Sequence, residues 1–367
     1  MKKSYALTAA VSAFALSIAG CASAPSSTTS AAPAASGSAA AATGNFKACM
    51  VSDSGGFDDK SFNQTSHDGL NKAVKELGIT PGEVESHDTK DFAKNVQSMI
   101  DAKCNVIVTV GYMLSDATVA AAKANPTINL AIVDDNPKGA AGLKNLKPLV
   151  FNTAQSSFMG GYLAAATSQS GKVGTFGGMK IPTVTIFMDG FAQGVQYFNQ
   201  QKGKNIQVLG WDAAKQDGQF VAKGFEDIAG GKATATNLTS QGADVLFPVA
   251  GPAGQGALQI AQTSGGKVSA IWVDTDGYVS APQYKASILS SVYKGMDVAV
   301  FDTIKAAKDG SFSSDPYVGT LDNKGTGLAE FHDFDSKVPA DVKADLETIK
   351  GDIASGKIKI TSAAQPK

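Results

Sequence analysis

The chain has 367 residues, 43% of them hydrophobic, with 32 basic and 33 acidic side chains and a formal charge of −1. That balance argues against a nucleic-acid surface, which needs clustered Lys or Arg. All the basic residues are lysines, and without arginine, the preferred two-pronged clamp for phosphate and carboxylate, a ligand is expected to be uncharged.

Lys2 and Lys3 precede an apolar stretch from Tyr5 to Ala19 that is too short for a permanent span and reads as an export signal. It closes on Ile18, Ala19, Gly20 and Cys21, which resembles the lipobox cut before a diacylglycerol-modified cysteine. Residues 1–20 are therefore expected to be removed, and Cys21 to carry the lipid that holds the protein on the extracytoplasmic face of the cell membrane. Residues 21–45 are almost all Ala, Ser, Thr, Pro and Gly; with nothing large and apolar to bury, they predict a flexible tether. About 320 residues remain from Phe46 onward, more than one core usually takes, so two lobes are expected.

From there strand and helix patterns alternate. Phe46 to Ser52 reads as a buried strand, and Leu70, Ala73, Val74 and Leu77 recur at helical spacing before Gly78. Val84 to His87 reads as the second strand, Phe92 to Ile100 as a helix, and Asn105 to Val110 as a strand covered on both faces. A helix at Ser115 to Lys123 and strands at Leu130 to Val133 and Pro148 to Phe151 continue the series. After Asn152 comes an Ala-rich helix around Met159 to Ala166, then strands at Val173 to Phe176, Gln207 to Leu209, Val245 to Val249 and Ala270 to Val273. The expected fold is α/β, two doubly wound lobes joined by a multi-strand hinge, with the ligand cleft at the carboxyl ends of the strands. The first lobe is expected to take residues 46–151 plus about 277–312, and the second 152–276 plus about 313–367. Cys49 and Cys104 fall on strands that neighbour each other in a 2-1-3 order, so a disulfide and two buried thiols are both open.

The informative residues lie just past strand ends: Asp53 to Asn63, Gly111 to Asp116, the run Val249 to Gly256, and Val273 to Asp276. The stretch Ser52 to Gln64, the segment Phe187 to Gly194, the VAGPAGQG run and the IWVDTD run together resemble the Bmp/PnrA basic membrane lipoproteins, nucleoside-binding proteins of ABC transporters. The resemblance covers nearly the whole chain from Phe46. It implies a type I periplasmic-binding fold, a purine nucleoside in the cleft, a permease as partner and a monomer without cofactor or metal.

Carried over by motif, Phe62 and Phe191 would sandwich the base, Asn63 and Asp116 would bond its edge, and Asp53 would support them. Asp274, the Gly251 backbone and Lys294 would take the ribose; Asp274 is preferred to Asp276 because it directly follows the strand. Asp58 and Asp59 read as helix-capping charges, and Gly277 departs from the glutamine that commonly follows the second aspartate.

The main alternative is a calcium-dependent nucleoside hydrolase, whose loop has the pattern Asp-x-Asp-x-Gly-x-Asp-Asp. Here Val51 replaces the first aspartate and an extra glycine shifts the spacing. His67, His87 and His332 are scattered without metal-ligand spacing, and no nucleophile-elbow motif is present, so no catalytic residue is expected. A ligand-binding sensor or adhesin is a third class that sequence leaves open.

Overall fold

The computed structural model describes residues 46–366; the expected signal peptide, Cys21 and tether lie outside the described residues. The first lobe opens with β1 (Lys47–Ser52), α1 (Phe62–Leu77), β2 (Thr80–Val84), α2 (Phe92–Asp101), β3 (Val106–Val110), α3 (Ser115–Ala124), β4 (Asn129–Val133) and β5 (Leu146–Phe151). Every residue of β3 is buried, because helices cover both faces of a parallel sheet and leave no position for alternating polar side chains. Gly78 ends α1 in the left-handed conformation, its N–H bonded to the Val74 carbonyl. The second strand lies earlier than expected. Thr80–Val84 pairs with β1, and Pro81 is tolerated because β2 is the sheet edge, where a missing N–H disrupts no further ladder.

The second lobe takes α4 (Thr153–Thr167), β6 (Lys172–Gly177), α5 (Pro182–Lys202), β7 (Gln207–Leu209), a hairpin of β8 (Trp211–Asp212) and β9 (Asp217–Gly218), α6 (Ile228–Ser240), β10 (Val245–Val249), α7 (Gln255–Thr263), β11 (Ser269–Asp274), α8 (Gly277–Ser280) and β12 (Ile288–Lys294). The chain then runs through α9 (Met296–Lys308), β13 (Tyr317–Gly319), β14 (Thr326–Leu328) and α10 (Ala340–Ala354). The first sheet has the order β13-β5-β4-β3-β1-β2 and the second β14-β12-β11-β10-β6-β7, with β14 alone antiparallel in the latter.

Two late segments therefore sit opposite to expectation. β12, assigned by sequence to the first lobe, pairs in parallel with β11 of the second; β13, assigned to the second, extends the first sheet alongside β5. The lobes are residues 46–151 with 295–319, and 152–294 with 320–366. α9 does return to the first lobe, where it packs so closely on α1 that a Cβ at Gly69 would come within 2.5 Å of the Asp297 carbonyl oxygen.

The chain crosses between lobes after β5, after β12 and after β13. These crossings are tied to one another, by Asn152 N–H to the Gly319 carbonyl at 2.8 Å and Gly295 N–H to the Gly325 carbonyl at 2.9 Å. Three hydrogen-bonded crossings let the lobes rotate about one line without separating. No helix among the described residues is long and apolar enough to cross a membrane.

Cys49 of β1 and Cys104, just before β3, form a disulfide with Cα atoms 5.9 Å apart, which decides the question the sequence left open. The bond closes a loop with a sequence separation of 55. The chain-entropy account puts the stabilisation from a loop of that size near about 4 kcal/mol. Replacing both cysteines with serine should lower the urea midpoint of unfolding accordingly, while thiol alkylation of the unreduced wild-type protein should leave Cys49 and Cys104 unmodified.

Candidate functional site

The carboxyl edges of the two sheets face each other across a cavity lined by residues of both lobes. From the first lobe it is lined by Asp53, Ser54, Asp59, Phe62 and Asn63, by Gly111 to Met113, and by Asp134. From the second come Ile181, Thr183, Val184, Phe187, Phe225, Val249, Gly251, Pro252, Asp274 and Lys294.

The loop after β1 is organised by Asp59, whose carboxylate accepts hydrogen bonds from the backbone N–H groups of Ser61, Asn63 and Gln64. It caps α1, as expected, and so fixes Phe62 and Asn63 in the first turn at the cavity wall. Asp58, the other expected cap, is largely exposed beside Lys60. Asn63 Nδ2 donates to Asp53 Oδ1 at 2.9 Å and to the Ser54 carbonyl at 3.2 Å. That orientation leaves Asn63 Oδ1 buried without a partner in the protein, an acceptor held ready for a ligand N–H. Only glycine fits at 111: its φ is 115°, and a Cβ there would fall 2.1 Å from Asp53 Oδ2.

Asp134 directly follows β4 and Asp274 ends β11, and both sit in the left-handed region, with φ of 68° and 70°. Such strain in non-glycine residues concentrates where binding geometry demands it. Between them the Lys294 ammonium, buried at the end of β12, bonds Asp134 and lies 3.6 Å from Asp274. Its Nζ is also 5.0 Å from the ring centre of Phe62 and 5.0 Å from that of Phe187, so one aromatic ring from each lobe flanks the same charge.

Burial shapes the acids. It pushes the Asp53 carboxyl up to about 8, against the Asn63 hydrogen bond, and neighbouring Asp59, Asp134 and Glu226 push the same way. Burial also raises Asp59 to about 6 despite its three backbone bonds. Asp134 is raised by burial too, with the Lys294 ammonium pulling it back. Four carboxyl groups against one ammonium make a cavity hostile to anions and open to neutral, hydrogen-bonding ligands.

Of the residues singled out from sequence, Asp53, Phe62, Asn63, Gly251, Asp274 and Lys294 converge on this cavity. Two do not. Phe191 is fully buried one helical turn deeper in α5, stacked on Phe247 of β10 with ring centres 5.1 Å apart. There Gly190 and Gly194 bring α5 against the backbone of α4. Phe187, on the same face of α5 but nearer its start, is the ring that lines the cavity. Since helices in such lobes begin at the cleft, the earlier of the two rings is the one expected to face it. Asp116 is exposed on α3, away from the cavity lining, where its charge complements the helix N-terminus. Asp134 was missed, although a carboxylate immediately after a strand is the same signal that favours Asp274 over Asp276. Asp276 instead caps α8 through Tyr278 N–H and bonds His332.

Residues 46–344 match the family described as "Bmp: ABC transporter substrate-binding protein PnrA-like". The chain belongs to this family. Among its relatives, the "ABC transporter nucleoside-binding protein BmpA" of Lactococcus lactis subsp. cremoris is 30% identical, with 96% of this chain and 98% of the relative covered. "Basic membrane protein A1" of Borrelia garinii subsp. bavariensis is 29% identical over 85% of this chain and 87% of its own length. A crystal structure from Aeropyrum pernix K1, titled as ABC transporter system solute-binding proteins, superposes with a TM-score of 0.77, 24% identity and coverage of 88% and 94%. At that identity the likeness speaks for the fold alone, the type I periplasmic-binding architecture of two Rossmann-like lobes.

As a member of the Bmp family the protein is a substrate-binding protein of an ABC transporter, and not an enzyme; the family match decides against the hydrolase alternative. Among the described residues no group of three or more His, Cys, Asp or Glu is placed to hold a metal ion.

The pH dependence of stability should carry the signature of Asp53. With the folded carboxyl near 8 and the unfolded one near 3.8, the folded state holds a proton that the unfolded chain releases. The contribution of Asp53 is therefore full below about pH 4 and is lost as pH rises through about 8. Urea unfolding at about pH 5 and about pH 9 should show Asp53→Asn gaining on the wild type at the higher pH; parallel profiles would contradict the raised carboxyl.

Proposed function

We propose that this protein is a lipid-anchored, extracytoplasmic receptor that delivers a nucleoside, with purine nucleosides preferred, to an ABC permease. The observation that carries the nucleoside reading is the grouping of Phe62 and Phe187, one ring from each lobe, beside the buried, unpartnered Asn63 Oδ1. A flat heteroaromatic base offers π faces to both rings and N–H groups to the amide oxygen; stacking contributes about 1 to 3 kcal/mol per base. Asp53, held protonated near neutral pH by burial, adds a carboxyl donor beside that oxygen. The sugar hydroxyls then fall to Asp274, the Gly251 backbone and the Lys294–Asp134 pair, which line the same cavity.

The carboxylate-rich lining supports a nucleoside over a nucleotide, because a phosphate brought into it would meet like charge with no arginine anywhere in the chain to offset it. The Lactococcus relative, named a nucleoside-binding protein, supports the same ligand class. The lipobox-like Ile18 to Cys21, followed by the small-residue tether, supports the anchor and the extracytoplasmic location. Closure then follows from binding: a ligand that touches both lobes binds the closed form more tightly, and a closed form is what a permease can recognise.

Isothermal calorimetry of EDTA-treated protein against nucleosides, free bases, sugars and nucleotides tests this reading. Nucleosides should bind intact without metal, and nucleotides should bind far more weakly. Binding of free sugars alone, or release of free base, would refute it. Phe62→Ala should weaken nucleoside binding by about 5- to 150-fold, the equivalent of one lost stack, whereas Phe191→Leu should leave affinity as in the wild type.

A further inference from the structure

A second set of contacts joins the lobes outside the cavity. Lys60, in the first-lobe loop after β1, adopts a left-handed conformation with φ of 63°. Its backbone carbonyl is reached by two donors of the second lobe, the Trp272 indole Nε1–H at 3.1 Å and the Ser280 hydroxyl at 3.0 Å. Neither donor lines the cavity, nor does Lys60. Next along the chain, the Ser61 hydroxyl bonds Asp274 Oδ2 at 2.8 Å.

Trp272 has no freedom to follow Lys60 if the lobes part. It is fully buried in β11, packed among Leu258, Ala261, Ala281 and Ile288. Its ring lies where a Cβ at Gly277 would approach within 2.7 Å, so the glycine that departs from the family pattern is the residue that lets the indole sit flush against α8. An indole N–H is a donor only, and when the lobes part it exchanges the Lys60 carbonyl for water, giving up the net stabilisation of one intramolecular hydrogen bond. Opening the lobes therefore strips a fixed donor of its acceptor, while closing restores it, whatever the cleft contains.

We propose that the Lys60 carbonyl, gripped by Trp272 and Ser280, is an interlobe latch that raises the closed fraction of the protein and thereby its affinity for ligand, without touching the ligand. Affinity measured in solution scales with the population of the binding-competent form. A latch of this kind shifts every ligand by one common factor and leaves the ranking between ligands alone. Trp272 and Ser280 are positioning residues in this scheme. The inference goes beyond the nucleoside reading and does not depend on it.

The test uses the purified full-length protein with Trp272→Phe and Ser280→Ala, each measured by calorimetry against the nucleoside panel and, with no nucleoside added, by small-angle scattering. Trp272→Phe should weaken every nucleoside by the same factor, about 3- to 10-fold, and Ser280→Ala by about 2- to 5-fold, each the loss of one hydrogen bond. Both variants should scatter with a larger radius of gyration than the wild type. Unequal weakening across the panel would overturn the latch by placing Trp272 in ligand recognition. Wild-type affinity together with wild-type scattering in both variants would overturn it as well. Should the wild type bind no nucleoside, the nucleoside reading fails while scattering alone decides the latch, an unchanged radius counting against it. Should Trp272→Phe not fold, Ser280→Ala, which leaves the indole in place, decides by the same readouts.

Discussion

The Lys294 ammonium is buried at the end of β12, between Asp134 of the first lobe and Asp274 of the second, and a charge in that position must be neutralised from both sides. Much of the cleft follows from that requirement. Asp134 and Asp274 accept left-handed backbone conformations at the ends of their strands beside it, Ser61 bonds the other oxygen of Asp274, and the rings of Phe62 and Phe187 flank the ammonium. Lys294 keeps Asp274 of its own lobe in either state, but its bond to Asp134 forms only when the lobes are together, so that pair links neutralising the charge to holding a closed cleft.

The remaining acids of the cavity have no such partner, and their surroundings decide their state differently. Asp59 is held by three backbone N–H groups and spends its hydrogen-bonding capacity on the start of α1. Asp53 has one amide donor and a glycine pressed against its other oxygen, so burial prevails and the proton stays. Two aspartates six positions apart on one loop thus differ in role because one meets the positive end of a helix and the other does not. The combination of a neutral acid, an unpartnered amide oxygen and aromatic faces is suited to an uncharged heterocycle.

The alternating strand and helix patterns, the two-lobe architecture and the loops that would carry the site were legible in the sequence. Period and run length report how each segment is buried, and burial in a parallel sheet is strong enough to mark the strands. What failed did so at identifiable places. The second strand was displaced because Thr80 to Val84 contains Pro81 and Gly82 and sits at a sheet edge, where neither hydrophobic runs nor alternation is demanded. β12 and β13 went to the wrong lobes because a strand's sequence states that it is buried, not beside which neighbour.

Phe187 and Phe191 show the limit most clearly. Four residues apart, they occupy one face of α5 and both pack on Phe247, and helical periodicity treats them alike; what separates them is depth along the helix, Phe187 lying a turn nearer its cleft end and lining the cavity. Composition, motif and strand-end position by themselves indicated two α/β lobes and placed Asp53, Phe62, Asn63 and Asp274 at strand ends, where they line the cavity between the lobes. Tertiary structure alone decided that Cys49 and Cys104 are joined, that Asp134 rather than Asp116 faces the cleft, and that Lys294 and Trp272 reach across it. Those are pairings between segments distant in the chain, set by which surfaces meet when two sheets are brought edge to edge, and no local pattern encodes the partner.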